Sequence, residues 1–226
     1  MTGPGTYRFA LALLSAAPLL SAAPLDSVMA RMDQNALAFK SMSAKIRRVA
    51  HTAVINEDDV SEGTLHMKRN KRDAQFVADF TVPDPKSVAV AGSKAELYYP
   101  KLNLVQEYDL GKIKGIDKYL ALGFGASSKE LKDDYGIKAL GEEQVSGDKT
   151  LRLELIPKSP QVLQQFPKIE LWISEEKGYP LQEKFYQTGG DYQTIAFSDV
   201  VINPPLPDSA FKLSLPKGVK RETPQK

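Results

Sequence analysis

Hydrophobic and polar positions alternate along most of the chain beyond residue 40, and this alternation is typical of β-strands. In the strand that begins at Gly63, it puts Leu65, Met67 and Arg69 on one side and polar residues on the other. An arginine therefore closes an otherwise apolar face. Such a face normally packs into the core of an antiparallel sheet. The alternative is that part of it lines a cavity for an apolar ligand.

The same apolar parity recurs in later segments, which together predict about eleven strands. Its candidate cavity residues in the first half of the chain are Phe76, Phe80, Val88, Val90, Leu97 and Tyr99. Those in the second half are Leu153, Leu171, Ile173, Phe185, Ile195 and Phe197. A last strand is predicted over Phe211 to Leu215, and a polar, frayed tail from Arg221.

Helical spacing replaces the alternation in two main regions. An amphipathic helix is predicted over Leu25 to Lys40. Short helices are predicted over Ile113 to Tyr135, where Ser127 and Glu130 have the spacing of a capping box. The residues expected to face the sheet as a lid are Met29, Met32, Ile116 and Leu120.

A sheet of about eleven strands must curl, and its concave face would expose a larger apolar patch than soluble monomers tolerate. The predicted helices are the available covers for that face. The pattern therefore predicts a mainly β protein, with a curled antiparallel sheet beneath helical lids.

The chain has 226 residues, 42% of them hydrophobic, which suits one large domain better than two. Its formal net charge of +2 argues against a nucleic-acid-binding protein. Two basic clusters, Arg47-Arg48 and the run from Lys68 to Arg72, are interpreted as solvated strand ends and a turn. A docking patch for anionic lipid or an acidic partner is the alternative.

Residues 1–23 have the pattern of a secretory signal, because Arg8 precedes an apolar run from Phe9 to Leu20 and small residues follow. Pro24 disfavours cleavage directly after Ala23, so a retained anchor is one alternative and a buried helix is another. The predicted organisation is a signal at 1–23, one domain at 24–220 and a polar tail at 221–226. The predicted signal indicates an exported protein. Because the sequence has no cysteine, we expect this protein to have neither disulfides nor an acylation site.

The sequence contains no recognisable catalytic pattern. It lacks a G-x-S-x-G motif, and His51 and His66 fall on the polar parity of their strands. Two histidines without cysteine argue against a transition-metal site. The acidic runs Glu57 to Asp59 and Asp133-Asp134 are interpreted as a solvated loop and a helix end, with catalytic carboxylates as the alternative. We therefore predict that the protein is not an enzyme and uses no metal or cofactor.

Five segments, taken in order along the chain, resemble the periplasmic outer-membrane lipoprotein carrier (LolA-like) family. They are G-T-L-H-M-K-R at 63–69, the 83–100 block ending S-K-A-E-L-Y-Y-P, L-x-L-x-L-x-P-K at 151–158, I-x-L-W-I at 169–173 and F-K-L-S-L-P-K-G-V at 211–219. The resemblance covers nearly the whole chain after the predicted signal. It implies an incomplete antiparallel β-barrel with helical lids, which holds the acyl chains of a lipoprotein during its passage through the periplasm.

The resemblance also implies a monomer with two protein partners. An inner-membrane ABC-type release complex would supply the cargo, and an outer-membrane acceptor lipoprotein would receive it. In this family an arginine after the G-x-L strand ties the lid to the barrel, and Arg69 matches it by position. The chemistry agrees, because a guanidinium at the end of an apolar face needs carbonyl or carboxylate partners.

The chain departs from the family pattern in the same region. Asn70 stands where the family carries a proline, and residues 74–80 lack the family's tryptophan. These departures leave the cargo open. One alternative is a LolA-like carrier of another lipid or glycolipid in an envelope pathway, and another is a lipoprotein-sensing envelope regulator of related fold.

Overall fold

A large, mainly antiparallel sheet dominates the computed structural model, which describes residues 23–70, 73–110 and 122–224. The predicted signal up to residue 22 and the predicted lid residues Ile116 and Leu120 lie outside the described residues. No helix in the three described ranges combines the length and the apolar character that a bilayer span requires.

In the described part of the chain, twelve strands form the sheet. They are β1 (Ser41–Thr52), β2 (Glu57–Asn70), β3 (Asp73–Val82), β4 (Lys86–Ala91), β5 (Lys94–Tyr99), β6 (Leu104–Asp109), β7 (Tyr135–Val145), β8 (Asp148–Pro157), β9 (Lys168–Ser174), β10 (Pro180–Tyr186), β11 (Tyr192–Ile202) and β12 (Lys220–Glu222). Their order across the sheet is β12-β6-β5-β4-β3-β2-β1-β11-β10-β9-β8-β7. Neighbouring strands are antiparallel except for β12, which lies parallel to β6.

The sheet is open, because its edge strands β7 and β12 do not pair with each other within the described residues. Strand β1 joins the two halves of the sheet, since it pairs with β2 on one side and with β11 on the other. The predicted fold class is confirmed: the protein is mainly β with helices, and the sheet forms an incomplete antiparallel β-barrel.

The described helices are α1 (Ala23–Ala38), α2 (Ser128–Asp134) and α3 (Pro160–Gln165). Helix α1 begins and ends two residues before the predicted bounds. The capping box of α2 is confirmed: the Glu130 amide donates to the Ser127 hydroxyl at 3.2 Å, and the Ser127 amide donates to the Glu130 carboxylate at 2.8 Å. This reciprocal pair fixes the start of α2.

A β-bulge at Gly63 helps the sheet to curve. The register between β2 and β3 shifts between Glu62 and Gly63. A Cβ atom on Gly63 would lie only 2.0 Å from the carbonyl oxygen of Asp79, so a side chain cannot fit at this position. Bulges bend the strand that carries them and increase its twist. The close approach of the Asp79 backbone therefore explains why a glycine opens the G-T-L-H-M-K-R segment.

The C-terminal segment differs from the prediction. Phe211 ends a 3₁₀ turn (Asp208–Phe211) and is buried, with the Lys68 ammonium 4.5 Å from its ring centroid. Residues 212–215 keep an alternating exposure without joining a ladder, which explains why their pattern predicts a strand. The sheet is instead extended by β12, where the Arg221 guanidinium contacts the carboxylates of Glu96, at 2.7 Å, and Glu107.

The apolar interior consists of two clusters of buried side chains. The first core cluster joins α1, α2 and α3 to β7–β10 and contains Val28, Met29, Met32, Leu122, Leu131, Tyr135, Leu151, Leu153, Leu155, Val162, Ile169, Leu171, Ile173 and Phe185. The second core cluster covers β1–β5 and contains Met42, Ala44, Ile46, Met67, Ala74, Phe76, Ala78, Phe80, Val90, Ala95, Phe124 and Phe197. The two clusters border the site described next.

Candidate ligand-binding site

A cavity of about 300 Å³, here called the inner cavity, lies on the inner face of the sheet at the border of the two core clusters. Its wall comes from β1–β4, β10 and β11, with Phe166 contributed by the residue after α3. The lining residues are Ile46, Arg48, Leu65, Phe76, Ala78, Phe80, Val88, Phe166, Glu183, Phe185, Gln193, Ile195 and Phe197. This volume is at the lower end of the range for ligand pockets.

Many of the predicted cavity residues meet in this wall. Those that line the inner cavity are Leu65, Phe76, Phe80, Val88, Phe185, Ile195 and Phe197. Alternation along each strand places them on one face. The pairing of β1 with β11 then brings residues from the two halves of the chain together.

The other predicted cavity residues do not line the inner cavity. Met67 and Val90 belong to the second core cluster, and Leu153, Leu171 and Ile173 to the first. Leu97 and Tyr99 are half-buried positions of β5.

The covering helix explains why β8 and β9 contribute no cavity wall. Met29 and Met32 of α1 are 4% and 1% exposed and pack in the first core cluster with the side chains of these two strands. This predicted lid face is therefore closely packed. Parity identifies the inner face, and α1 closes the part of that face that β8 and β9 form.

Helix α1 rests directly on the turn between β9 and β10. The Arg31 guanidinium donates to the carbonyl oxygen of Glu176 at 3.2 Å, and the Asn35 amide donates to that of Lys177 at 2.6 Å. Gly178 has a φ of +67°, and a Cβ atom there would lie 2.8 Å from the Cβ atom of Arg31. Glycine is required on both counts. Polar contacts and close packing thus fix this cover.

Arg69 connects the end of β2 to α2. Its guanidinium donates to one carboxylate oxygen of Glu130 at 2.9 Å, while the other oxygen accepts from Ser127 in the capping box. The partner is thus a carboxylate on a helix. Asp33 of α1 accepts two hydrogen bonds from Ser128, from its amide at 2.7 Å and its hydroxyl at 2.8 Å. The sheet, α2 and α1 are therefore linked through the start of α2.

Three polar side chains interrupt the apolar wall of the inner cavity, and we call Arg48, Gln193 and Glu183 its polar end. The Arg48 Nε donates to the Gln193 side-chain oxygen at 2.9 Å. Burial lowers the pKa of Arg48, and the charge of Asp59 opposes that effect. Burial raises the pKa of Glu183, which is 3% exposed, well above its usual value. Both residues of the Arg47-Arg48 pair were predicted to be solvated. Arg47 is exposed, as predicted, whereas Arg48 is half-buried.

Sequence reasoning missed the polar end although a signal was available. Arg48 shares its strand parity with Ile46, and Glu183 shares its parity with Phe185. A charged residue at an apolar position is the same pattern that singles out Arg69. The alternation rule therefore finds all three when it is applied to every strand.

The outer face of the sheet carries an ion-paired cluster around Glu170, which is 1% exposed. Its carboxylate accepts from Arg152 at 2.8 Å and from Lys168 and Tyr186 at 3.0 Å each. Burial alone would raise the pKa of Glu170, but these donors together lower it. Burial and the bond to Glu170 raise the pKa of Tyr186 to about 12. The cluster joins β8, β9 and β10 on the side opposite the inner cavity.

The fold and the site together define an open half-barrel with a mostly apolar internal cavity. No curated protein matches the chain. A family model described as an "Uncharacterized protein" matches residues 92–201, which is less than half of the chain.

Solved structures share this architecture. The chain is similar to an uncharacterized conserved protein from Thermus thermophilus, with 13% identity, a TM-score of 0.55 and coverage of 88% of this chain and 98% of that one. It is also similar to MucB, with 12% identity, a TM-score of 0.50 and coverage of 86% of this chain and 64% of MucB. A LolA superfamily protein from Nitrosomonas europaea matches with 16% identity, a TM-score of 0.42 and coverage of 83% and 97%. The first two matches show a shared fold.

Proposed function

We propose that this protein is a periplasmic carrier that binds the acyl chains of lipoproteins in the inner cavity and shuttles them from the inner to the outer membrane. The observation that carries the proposal is the mostly apolar cavity of about 300 Å³ between two packed core clusters. An apolar cavity that stays open beside two closely packed cores is available to an apolar ligand. The sequence resemblance to lipoprotein carriers supports the same function.

A carrier must release what it binds. Each buried methylene contributes about 0.8 kcal/mol, so a long acyl chain binds too tightly to leave a rigid site quickly. In this chain α2 is tied to β2 by the Arg69–Glu130 pair and to α1 by the Asp33–Ser128 hydrogen bonds. Opening α2 alone would break these polar contacts and expose Leu131, which is 2% exposed, so partner proteins that bind the open state can shift the balance between closed and open states.

In this proposal an inner-membrane ABC-type release complex loads the carrier, and an outer-membrane acceptor lipoprotein unloads it. The protein acts as a monomer and makes or breaks no covalent bond. An N-terminal signal takes it to the periplasm.

Carriage of another envelope lipid is the second candidate function. The polar end of the inner cavity favours it, because a plain acyl chain has no use for Arg48 and Glu183 in the wall. The small volume also suits one chain better than the several chains of a lipoprotein.

The cargo can be identified by mass spectrometry of protein purified from the cell envelope without detergent or refolding. A bound lipoprotein supports the first function, and another bound lipid supports the second. A co-purified membrane-spanning regulator on a carrier without lipid would contradict both and indicate a sensing protein.

A variant pair tests whether the inner cavity is the binding site. Leu65→Glu places an unpaired carboxylate in the wall, and we expect it to weaken binding of an apolar fluorescent probe more than about tenfold. Leu37→Glu is the matched control, because Leu37 is 91% exposed on α1, and it should bind like wild type. Undiminished affinity in the folded Leu65→Glu protein would show that the probe binds elsewhere.

A further inference from the structure

The polar end of the inner cavity contains a buried carboxyl group without a partner. Glu183 is 3% exposed and lies in the cavity wall. Within the described ranges, no hydrogen bond or ion pair reaches its carboxyl group. Buried polar side chains are almost always hydrogen-bonded. A lone carboxyl group facing a cavity therefore points to a ligand that completes it.

Arg48 has hydrogen-bonding capacity left over at the same place. A guanidinium has five N–H donors, and only its Nε–H is used, by Gln193 at 2.9 Å. The two terminal nitrogens make no hydrogen bond to any residue that the structure describes. The charge is half-buried in the cavity wall, where an anion would be attracted to it more strongly than in water.

The strand register places these groups in one row on the inner face, two strands apart. Glu183 of β10 is paired with Ile195 of β11, and Ile195 is paired with Arg48 of β1, so the three form one row across the inner face. Gln193, two residues before Ile195, holds the Arg48 side chain from the end of the sheet that carries the β10–β11 turn. The polar end therefore lies on the side of the cavity nearest the β10–β11 turn.

We propose that the inner cavity selects an amphiphile with one acyl chain and a free carboxylate, such as a long-chain fatty acid, whose carboxylate lies between Arg48 and Glu183. The carboxylate would accept N–H bonds from Arg48 and an O–H bond from the protonated Glu183, while the chain lies along the apolar wall. This assignment rests on the second candidate function, carriage of another envelope lipid, since the acyl chains of a lipoprotein bear no free carboxylate.

Other head groups fit the polar end less well. An alcohol or an ester accepts hydrogen bonds but brings no charge to balance Arg48. An ammonium group is repelled by Arg48 and can be attracted only if Glu183 ionises at the expense of burial. Of these head groups, only a carboxylate satisfies both residues at once.

The experiment compares three ligands with the same hydrocarbon chain: palmitate, hexadecanol and hexadecyltrimethylammonium. Each displaces an apolar fluorescent probe from the full-length protein at low salt. We expect palmitate to bind about tenfold more tightly than hexadecanol, because a charge-assisted pair replaces a neutral hydrogen bond. Hexadecyltrimethylammonium should bind most weakly.

Variants then assign the preference to residues. Arg48→Met should remove the advantage of palmitate and leave the affinity for hexadecanol within about twofold of wild type. Arg47→Met is the matched control, because Arg47 directly precedes Arg48 in β1, lies on the opposite face and pairs with Glu62 at 3.4 Å. It should keep the wild-type preference.

The outcomes separate this inference from the proposed function. Equal affinity of wild type for palmitate and hexadecanol would overturn the carboxylate assignment and leave lipid carriage intact. The same would follow if Arg48→Met weakened both ligands equally. Failure of the probe and of every ligand to bind would overturn both. The wild-type comparison decides the case even if Arg48→Met does not fold.

Discussion

Glu183 lies between Leu181 and Phe185 on the inner face of β10, where the side chains of its own strand are apolar. Burial raises the pKa of its carboxyl group in the folded protein, while the unfolded chain has the usual value. The folded state therefore holds this proton more tightly than the unfolded state. The effect of pH on stability has the opposite sign for Glu170, because its pKa is lowered in the folded protein. Glu170 stabilises the fold at pH values above its usual pKa, and this contribution is lost as the pH falls.

The pH dependence of stability tests the protonation of Glu183. Between its usual pKa and its raised folded pKa, the unfolded state has lost the proton that the folded state keeps, so wild-type stability should fall as pH rises and then level off. Glu183→Gln should remove this decrease and be the more stable protein at alkaline pH. The measurement is the free energy of unfolding in urea across the pH range. Glu142→Gln, at an exposed position of β7, is the control and should follow wild type; parallel curves for Glu183→Gln and wild type would contradict the assignment.

At the scale of elements, the helices are held to the sheet by buried apolar side chains of the first core cluster and by a few polar contacts at its border. Helix α2 has only seven residues, too few to be stable alone, so its position depends on the burial of Leu131, on the capping box and on polar contacts from β2 and α1. The Arg69 and Glu130 side chains are 17% and 48% exposed, and such a partly exposed pair contributes modestly. A modest contribution suits a lid that must open.

Arg69→Leu should loosen α2 without unfolding the sheet. We expect a local loss of about 1 kcal/mol, which accelerates amide hydrogen exchange over residues 128–135 about fivefold and leaves β8 and β9 protected. Lys68→Leu is the matched control, because the adjacent Lys68 pairs with Asp208 on the other side of the strand at 2.9 Å. Unchanged protection of α2 in Arg69→Leu would remove Arg69 from its role as a lid clasp.

At the scale of the whole molecule, one curved sheet supports both a solid core and a hollow. The first core cluster is closed by α1, whereas the inner cavity at its border is left unfilled. Several residues of its wall, among them Leu65, Val88 and Ile195, are only half-buried, and an apolar face left partly open in this way indicates a use for it.

Filling the hollow should separate binding from stability. Ala78 lines the inner cavity, so Ala78→Phe should reduce binding of the apolar probe more than about tenfold and leave the free energy of unfolding unchanged or higher. Ala44 is equally buried in the second core cluster but does not line the cavity, so Ala44→Phe should lower stability by about 1–3 kcal/mol. Equal destabilisation by the two substitutions would mean that no void exists beside Ala78.

The alternation of side chains predicted most strands, their inner face and the start of α2, because these features depend on residues close together in the chain. The predicted secondary structure was wrong where a short segment was compatible with both a strand and a loop. Glu57 to Asp59 look like an acidic loop, but they extend β2 because their backbones pair with His51 and its neighbours in β1. The segment at Phe211 alternates without a partner strand and is therefore not a strand.

Which residues face inward follows from the order of amino acids, since parity along a strand is a local property of the backbone. Which of these residues surround a cavity and which fill a core depends on tertiary contacts. Met67 and Leu65 share one face of β2, yet Met67 is packed in the second core cluster and Leu65 lines the inner cavity. The difference arises from the packing of the second core cluster, to which Phe124 contributes from outside the sheet, and from the pairing of β1 with β11. Both depend on contacts between residues far apart in the chain.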